Sequence, residues 1–171
     1  MRTRHERQAA QAEPQDDRCM LHVALWQPKI PPNTGNIARQ CVGMNTKLHL
    51  VGPIGFDLSA HAVKRAGLDY WPHLALAVHP TPGEFQKWLS GRSLWLVTKY
   101  GTLRYDKAPY ADDEVLIFGN ETDGLPPDWL RRWPDRTLYI PILGPVRSYN
   151  LANAVAIVLA QASLRAGRYG D

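Results

Sequence analysis

Short apolar runs alternate with helical segments along most of the chain. The runs span residues 21–26, 48–51, 76–78, 94–97, 115–118 and 138–140. Each run is short and bounded by turn residues, so each is predicted to be a buried strand. Apolar strands that alternate with helices are typical of a mostly parallel sheet covered by helices on both faces. The pattern therefore predicts an α/β fold.

Turn residues and apolar spacing also predict five helices. Ser148 is predicted as the N-cap of the last and longest one, because a serine hydroxyl accepts a hydrogen bond from a free backbone N–H. From Leu151 to Ala162 apolar residues recur at helical spacing, so protein must cover one face of this helix. The other helices are predicted to begin at Asn33-Thr34-Gly35, to span 59–66, and to begin at Thr81-Pro82 and Pro126-Pro127.

The segment 98–112 is predicted to be a polar connection between two strands. Its basic and aromatic residues are interleaved: Lys99, Tyr100, Arg104, Tyr105, Lys107 and Tyr110. Such side chains hold phosphates and stack on unpaired bases, but a solvated loop shows the same pattern. Both interpretations stay open at this point.

The first residues differ from the rest of the chain in composition. Residues 1–18 contain four arginines and four acidic residues, and they have no apolar stretch that could serve as a secretory signal. A polar segment of this kind cannot bury enough apolar surface to fold. We therefore predict a disordered extension over residues 1–19 and one globular domain over 20–171.

The net charge of +4 belongs to the predicted domain, since the extension is formally neutral. A sequence pI of about 9.2 permits binding to a polyanion through the release of counterions. An excess this small does not establish such binding.

Several classes of protein lack their required parts in this sequence. No apolar run approaches the ~20 residues that span a bilayer, so no membrane segment is predicted. Cys19 and Cys41 are too few for a disulfide framework, which indicates a reduced cytoplasmic compartment. The six histidines lack ligand spacing, so no metal site is predicted. The glycine fingerprint of dinucleotide-binding folds, the P-loop and the nucleophile elbow are all absent.

Three short motifs stand in order along the chain: N-T-G-N-I-A-R (33–39), L-I-F-G-N-E-T-D-G-L (116–125) and R-S-Y-N-L-A-N-A-V-A-I (147–157). Together they resemble the motifs of the SPOUT class of RNA methyltransferases, in the SpoU-like branch that methylates ribose 2′-oxygens. The resemblance covers Met20 to about Gly167. The segments P-K-I-P-P (28–32) and R-A-G-L-D-Y-W (65–71) are most similar to the short members that modify the wobble nucleotide of tRNA.

The resemblance implies a fold, a cofactor and a substrate. The fold is a SPOUT α/β knot, in which the C-terminal segment forms a trefoil knot that general topology rules would not lead one to expect. The cofactor is S-adenosylmethionine, and the reaction is 2′-O-methylation of cytidine or uridine 34 in the anticodon stem-loop of tRNA. Relatives of this type are homodimers, so a homodimer is expected.

The resemblance also implies catalytic residues. Arg39 is expected nearest the ribose 2′-hydroxyl, either as a general base or as an anchor for the neighbouring phosphate. A guanidinium group stays protonated in proteins, so the phosphate role is physically easier. Glu121 is expected to hold either Arg39 or a backbone N–H. The remaining expected catalytic residues orient the loops around the substrate: Asn33, Asn36, Ser148 and Asn150.

The cofactor is expected at the ends of three strands. By resemblance, Val97, Gly119 and Ile140 close these strands and line the pocket together with Ser148. Gly119 lets a ligand approach the backbone because it has no Cβ atom. Further apolar walls are expected from two leucines, Leu143 and Leu151.

Two alternatives to the wobble-nucleotide enzyme stay open. The first is 2′-O-methylation of another tRNA or ribosomal RNA nucleotide. The second is an RNA-binding protein that keeps the fold without catalysis. The position of the methyl group on RNA distinguishes the first, and the absence of turnover would indicate the second.

Overall fold

The computed structural model of the protein describes residues 20–57 and 68–170. The predicted extension over 1–19 and the predicted helix over 59–66 lie outside these residues.

Seven strands of the described residues form a single sheet. They are β1 (His22–Trp26), β2 (Lys47–Val51), β3 (Leu76–His79), β4 (Leu94–Val97), β5 (Leu103–Arg104), β6 (Val115–Phe118) and β7 (Thr137–Tyr139). Their order is β3-β2-β1-β6-β4-β7-β5, and every neighbouring pair is parallel. The predicted α/β class and parallel sheet are therefore confirmed. The sequence pattern missed β5, which has only two residues and lies inside the predicted polar connection.

Four α-helices are present in the described residues: α1 (Pro31–Gly43), α2 (Pro82–Leu89), α3 (Pro127–Arg132) and α4 (Leu151–Arg165). Helix α1 begins two residues before its predicted start, because Pro31 and Pro32 fit the first turn, where backbone N–H groups need no helical partner. The hydroxyl of Thr81 caps α2 by accepting a hydrogen bond from the backbone N–H of Glu84 at 3.3 Å. Single turns of 3₁₀ helix occur at Trp71–His73, Tyr105–Lys107 and Pro134–Arg136.

Side chains of the central strand β1 alternate between two hydrophobic cores. Val23 and Leu25 pack with α1 and α4 on one face of the sheet. Ala24 and Trp26 pack with α2 and α3 on the other face. Successive strand side chains point in opposite directions, so a strand buried on both faces reads as one continuous apolar run. Helices therefore cover both faces, as predicted.

The segment 98–102 crosses β7 on its way from β4 to β5. The backbone N–H of Thr98 donates a hydrogen bond to the carbonyl oxygen of Leu138 at 2.9 Å. A Cβ atom added at Gly101 would lie 2.3 Å from the carbonyl carbon of Leu138, so the two backbones are in direct contact. Only glycine fits such an approach. Strand β7 thus lies beneath a crossing segment, between two strands that precede it in the chain.

Helix α4 is fixed against the first helix and the loop that follows it. The side chain of Gln40 donates a hydrogen bond to the carbonyl of Ala152 at 3.1 Å. Near the other end of α4, the guanidinium of Arg168 donates to the carbonyls of Met44 and Asn45. These contacts fix both ends of α4 against α1 and the loop after it.

Three imidazoles from neighbouring strands form a hydrogen-bonded chain in the core beneath α2. His22 Nδ1 lies 3.0 Å from His49 Nε2, and His49 Nδ1 lies 2.9 Å from His79 Nε2. The ring of Trp88 covers the middle imidazole, with ring centroids 4.0 Å apart. Burial, together with the charges of His22 and His79, lowers the pKa of His49 to about 2.

We expect the free energy of unfolding to fall as the pH drops below about 6.5. In this pH range His49 binds a proton in the unfolded chain but not in the folded chain. The free energy of unfolding therefore rises with pH throughout this range. At pH 5.5 the loss attributable to His49 is about 1.4 kcal/mol relative to neutral pH. Urea unfolding at pH 7.5 and pH 5.5 measures it.

The variant H49Q keeps a polar side chain that does not titrate, and it should show a smaller loss over the same pH range. H73Q, at an exposed histidine outside the chain of three imidazoles, is the control for the substitution itself. An H49Q protein with an unchanged pH dependence would contradict this assignment.

Candidate active site

A cavity of about 560 Å³ opens at the carboxyl ends of β4, β6 and β7. These three strands lie side by side because β4 pairs with both β6 and β7. Parallel α/β sheets commonly bind ligands at this edge, where loops leave the strands. The apolar part of the lining includes Val97, Phe118, Ile140, Ile142 and Leu151.

Most of the residues expected at the site line this single cavity. The structure places there Asn33, Val97, Gly119, Glu121, Ile140, Ser148, Asn150 and Leu151. Three expected residues, Asn36, Arg39 and Leu143, do not line it. The cavity brings together residues that are more than 110 positions apart in the chain. Asn33 and Asn150, for example, are joined by a hydrogen bond.

Leu143 does not form the expected wall, because its side chain is 98% exposed. Ile142 lines the cavity instead. Ile140 and Ile142 therefore form the apolar wall after β7, whereas Leu143 lies in solvent.

The carboxylate of Glu121 holds the loop that leads into α1. It accepts hydrogen bonds from the backbone N–H groups of Lys29 (2.9 Å) and Ile30 (3.2 Å) and from the side-chain amide of Asn33 (3.0 Å). Of the two partners expected for Glu121, the structure has the backbone N–H groups. Burial acts to raise the pKa of Glu121, but these hydrogen bonds outweigh it and lower the pKa below its usual value.

Asn33 and Asn150 connect the first helix to the last. The amide nitrogen of Asn150 donates to Asn33 Oδ1 at 3.0 Å, and Asn150 Oδ1 accepts from the backbone N–H of Ala152 at 2.8 Å. Asn150 is therefore the N-cap of α4. The prediction that Ser148 caps this helix is wrong, because the helix begins two residues later than Ser148 would require. Ser148 is left exposed at the cavity wall.

The loop after β6 folds back tightly upon itself. Asn120 Oδ1 accepts hydrogen bonds from the backbone N–H groups of Thr122 (3.0 Å) and Asp123 (2.7 Å). A Cβ atom at Gly119 would lie 2.1 Å from the carbonyl carbon of Gly124. The glycine is thus required first by the returning loop, rather than by an approaching ligand as the sequence suggested.

Arg39 lies outside the cavity, on the exposed side of α1. Its guanidinium carbon is 4.7 Å from the centroid of the Tyr70 ring. The hydroxyl of Tyr70 donates a hydrogen bond to the carbonyl oxygen of Gly35 at 2.6 Å. Asn36 is also exposed on α1. The contact between Arg39 and Tyr70 could not be predicted from the sequence, because the two residues lie 31 positions apart.

Only one basic and aromatic pair of the segment 98–112 borders the cavity. Lys99 and Tyr100 line it, and Tyr100 is 72% exposed. The other members have partners within the fold. Arg104 forms a two-pronged ion pair with Asp106, and Tyr110 is buried. Of the six interleaved residues, only Lys99 and Tyr100 are therefore placed to meet a ligand at the cavity.

Replacing Glu121 with alanine should lower the free energy of unfolding by about 2 kcal/mol. The change leaves two backbone N–H groups and one amide without their acceptor, and hydrogen bonds to a charged group each contribute about 1.5–3 kcal/mol before water replaces part of them. Binding of a ligand in the cavity should weaken too, because Asn33 loses its anchor. Urea unfolding and calorimetric titration measure the two effects.

Asp123 is the matched control for Glu121. Its carboxylate pairs with Lys29 Nζ at 2.6 Å, but the side chain is 66% exposed. Exposed ion pairs contribute about 0–1 kcal/mol. D123A should therefore leave stability nearly unchanged, and equal losses in the two variants would contradict the anchoring role of Glu121.

The fold and the cavity together define a class of protein. A parallel α/β sheet with a cavity of this size at the carboxyl ends of adjacent strands is typical of enzymes that bind a nucleotide-like ligand. The chain belongs to the SpoU rRNA Methylase family, since the model of that family matches residues 20–160.

Individual relatives are similar over most of their length. A protein of Methylovorus glucosotrophus described as tRNA (cytidine(34)-2′-O)-methyltransferase is 39% identical over 144 residues, which cover 84% of this chain and 94% of the relative. A structure solved for insights into the 2-OH methylation of C/U34 on tRNA is 42% identical, with a TM-score of 0.80 and coverage of 86% and 97%. The SpoU methyltransferase AviRb of Streptomyces viridochromogenes, in complex with AdoMet, is 26% identical, with a TM-score of 0.73 and coverage of 90% and 59%.

None of the helices within residues 20–57 and 68–170 has the length and apolar character of a membrane span. The same residues contain no group of three or more His, Cys, Asp or Glu side chains arranged to hold a metal ion.

Proposed function

We propose that this protein methylates the ribose 2′-oxygen of nucleotide 34, a cytidine or uridine, in the anticodon stem-loop of tRNA, with S-adenosylmethionine as the donor. The observation that carries the proposal is the convergence of three sequence motifs on one cavity. Glu121, Asn33 and Asn150 form a continuous hydrogen-bonded connection between them. Two of the relatives described above, the Methylovorus glucosotrophus protein and the structure solved for C/U34 methylation, are covered over 94% and 97% of their length and support the choice of reaction and substrate.

The residues of the cavity fit S-adenosylmethionine. Its volume lies within the range of about 300–1,000 Å³ that holds small ligands. Val97, Ile140 and Leu151 offer apolar walls for an adenine ring, and the strand ends offer backbone groups for polar atoms. Ser148 adds an exposed hydroxyl at the wall. The AdoMet complex of AviRb, which shares this fold, supports the same choice of cofactor.

The cofactor supplies an electrophilic methyl group when it is bound. The task of the protein is to hold the ribose oxygen in line with that group and to stabilise the RNA around it. Arg39 is proposed to anchor the phosphate next to the methylated ribose, since a guanidinium donates readily to phosphate oxygens and remains charged. Asn33, Asn36 and Glu121 are proposed to set the position of the helix that carries Arg39.

We infer a trefoil knot at the C-terminal end of the domain. The crossing of segment 98–102 over β7 supports it, because β7 lies against that segment and the chain continues from β7 to α4. Helix α4 packs against α1, and Arg165 near its end donates a hydrogen bond to the carbonyl of Asp106, just after β5, which supports the same path.

A homodimer in the cytoplasm is part of the proposal. The domain over residues 20–171 is small, and a second copy would enlarge the surface that meets tRNA. The location follows from the proposed substrate, which is found in the cytoplasm. The disordered state of residues 1–19 remains a prediction.

Labelling with radioactive S-adenosylmethionine tests the proposed activity. Unmodified tRNA should take up one methyl group per molecule, whereas a ribosomal RNA fragment should take up none. Labelling of ribosomal RNA alone would favour 2′-O-methylation of a ribosomal RNA nucleotide instead. Tight binding of the cofactor without transfer to any RNA would favour a binding protein.

A further inference from the structure

We propose that Tyr70 is a positioning residue that aims the guanidinium of Arg39 at the RNA. This inference rests on the proposed function, because it assigns a task to a residue that acts through Arg39. Tyr70 holds Arg39 in two ways, through its ring and through its hydroxyl.

The ring of Tyr70 covers one face of the guanidinium. The distance from Arg39 Cζ to the ring centroid is 4.7 Å, within the ~6 Å at which a cation is attracted to an aromatic face. Among residues 20–57 and 68–170, no carboxylate lies within ion-pair distance of Arg39, and none of their acceptors takes a hydrogen bond from its guanidinium. One face of the group is therefore held while its N–H edge stays available to a phosphate.

The hydroxyl of Tyr70 forms a hydrogen bond to the helical turn that carries Arg39. It donates to the carbonyl oxygen of Gly35 at 2.6 Å. In an α-helix this carbonyl is the acceptor for the backbone N–H four residues later, which is that of Arg39. The same side chain thus fixes the backbone of Arg39 and the direction of its guanidinium.

Tyr70 is itself held by contacts within the fold. Its side chain is half-buried and packs against the core beneath α1 and α4. The backbone carbonyl of Tyr70 accepts a hydrogen bond from His73 at 3.0 Å, within the 3₁₀ turn that follows. A long arginine side chain has many rotamers when it is unsupported, so a fixed partner removes much of the entropy that RNA binding would otherwise lose.

Two substitutions separate the contributions of the ring and the hydroxyl. Y70F keeps the ring and should lower kcat/KM for tRNA methylation about threefold. Y70L removes both contacts and should lower it at least tenfold, because a small misplacement of a positioning group has a large effect on rate. Neither variant should change the affinity for S-adenosylmethionine by more than about twofold, since Tyr70 does not line the cavity.

A double-mutant cycle with R39A, measured under single-turnover conditions, tests whether Tyr70 acts through Arg39. In the R39A background, Y70L should lower the rate of methyl transfer less than twofold. An undiminished tenfold loss in that background would overturn the proposal. L76A, which removes another half-buried side chain from the same core, is the folding control and should keep wild-type turnover at temperatures below its unfolding transition.

The outcomes distinguish this inference from the proposed function. A wild-type protein that transfers no methyl group to tRNA refutes the proposed function. An active wild type in which Y70L and R39A have independent effects refutes only the role of Tyr70. A Y70L protein with lowered stability and weakened cofactor binding, in proportion to its lost turnover, likewise refutes positioning in favour of a purely structural contribution.

Discussion

R39A should lower the rate of methyl transfer to tRNA by at least 100-fold and leave the affinity for S-adenosylmethionine within about twofold of wild type. Removing one preorganised donor from an active site commonly reduces kcat by about 10²–10³. The affinity for S-adenosylmethionine should not change, because Arg39 is exposed on α1 and does not line the cavity. Single-turnover labelling and calorimetric titration measure the two quantities.

Arg131 supplies the control for the change in charge. It is exposed on α3 and pairs with Asp128 on the same helix, so R131A removes the same unit of charge outside the cavity. Its turnover should remain close to wild type. R39K addresses geometry, since a lysine keeps the charge but lacks the planar fork, and it should recover only part of the loss. Wild-type turnover in R39A would exclude Arg39 from the reaction.

G119A should abolish measurable cofactor binding and lower the unfolding temperature. The new Cβ atom would lie 2.1 Å from the carbonyl carbon of Gly124 and 2.3 Å from the backbone nitrogen of Leu125. Both contacts are with backbone, which cannot rotate away as a flexible side chain would. The loop 119–125 must therefore move, and it forms one wall of the cavity. Calorimetric titration and thermal unfolding provide the measurements.

Gly144 provides the matched control for Gly119. A Cβ atom there meets nothing within 4 Å, although the residue belongs to the loop that leads to Ser148. G144A should bind the cofactor as wild type does. If G119A bound the cofactor normally, the tight return of the loop would have no part in shaping the site.

The sequence pattern was sufficient for the class of fold but not for the order of its strands. Apolar runs identify buried strands wherever they are four residues or longer, as in β4 and β6. Strand β5 has two residues and owes its pairing to β7, which comes more than 30 residues later. The insertion of β6 between β1 and β4 depends equally on distant contacts, which no local period encodes.

The motif resemblance predicted which residues line the cavity better than it predicted the hydrogen-bond and stacking partners of those residues. Glu121 was expected at the site, but its hydrogen bonds to the backbone of Lys29 and Ile30 depend on how two loops meet. Ser148 and Asn150 are both good capping residues, and spacing alone could not choose between them. The contact of Tyr70 with Arg39 brings together residues that no helical or strand period relates.

The histidine chain was invisible in the sequence for a related reason. His22, His49 and His79 lie on three separate strands, at separations of 27 and 30 residues. Parallel pairing of β1, β2 and β3 brings them side by side in the core. The spacing of histidines along the chain does not predict a cluster that forms between separate strands.

The position of the methyl group on tRNA tests the central claim most directly. An unmodified transcript should be incubated with the protein and S-adenosylmethionine, digested with nucleases and examined by mass spectrometry, alongside a transcript with a single 2′-deoxyribose at nucleotide 34. We expect one added methyl group, on the ribose of nucleotide 34, and none on the deoxy transcript. A methyl group on any other nucleotide, or equal labelling of the two transcripts, would contradict the account.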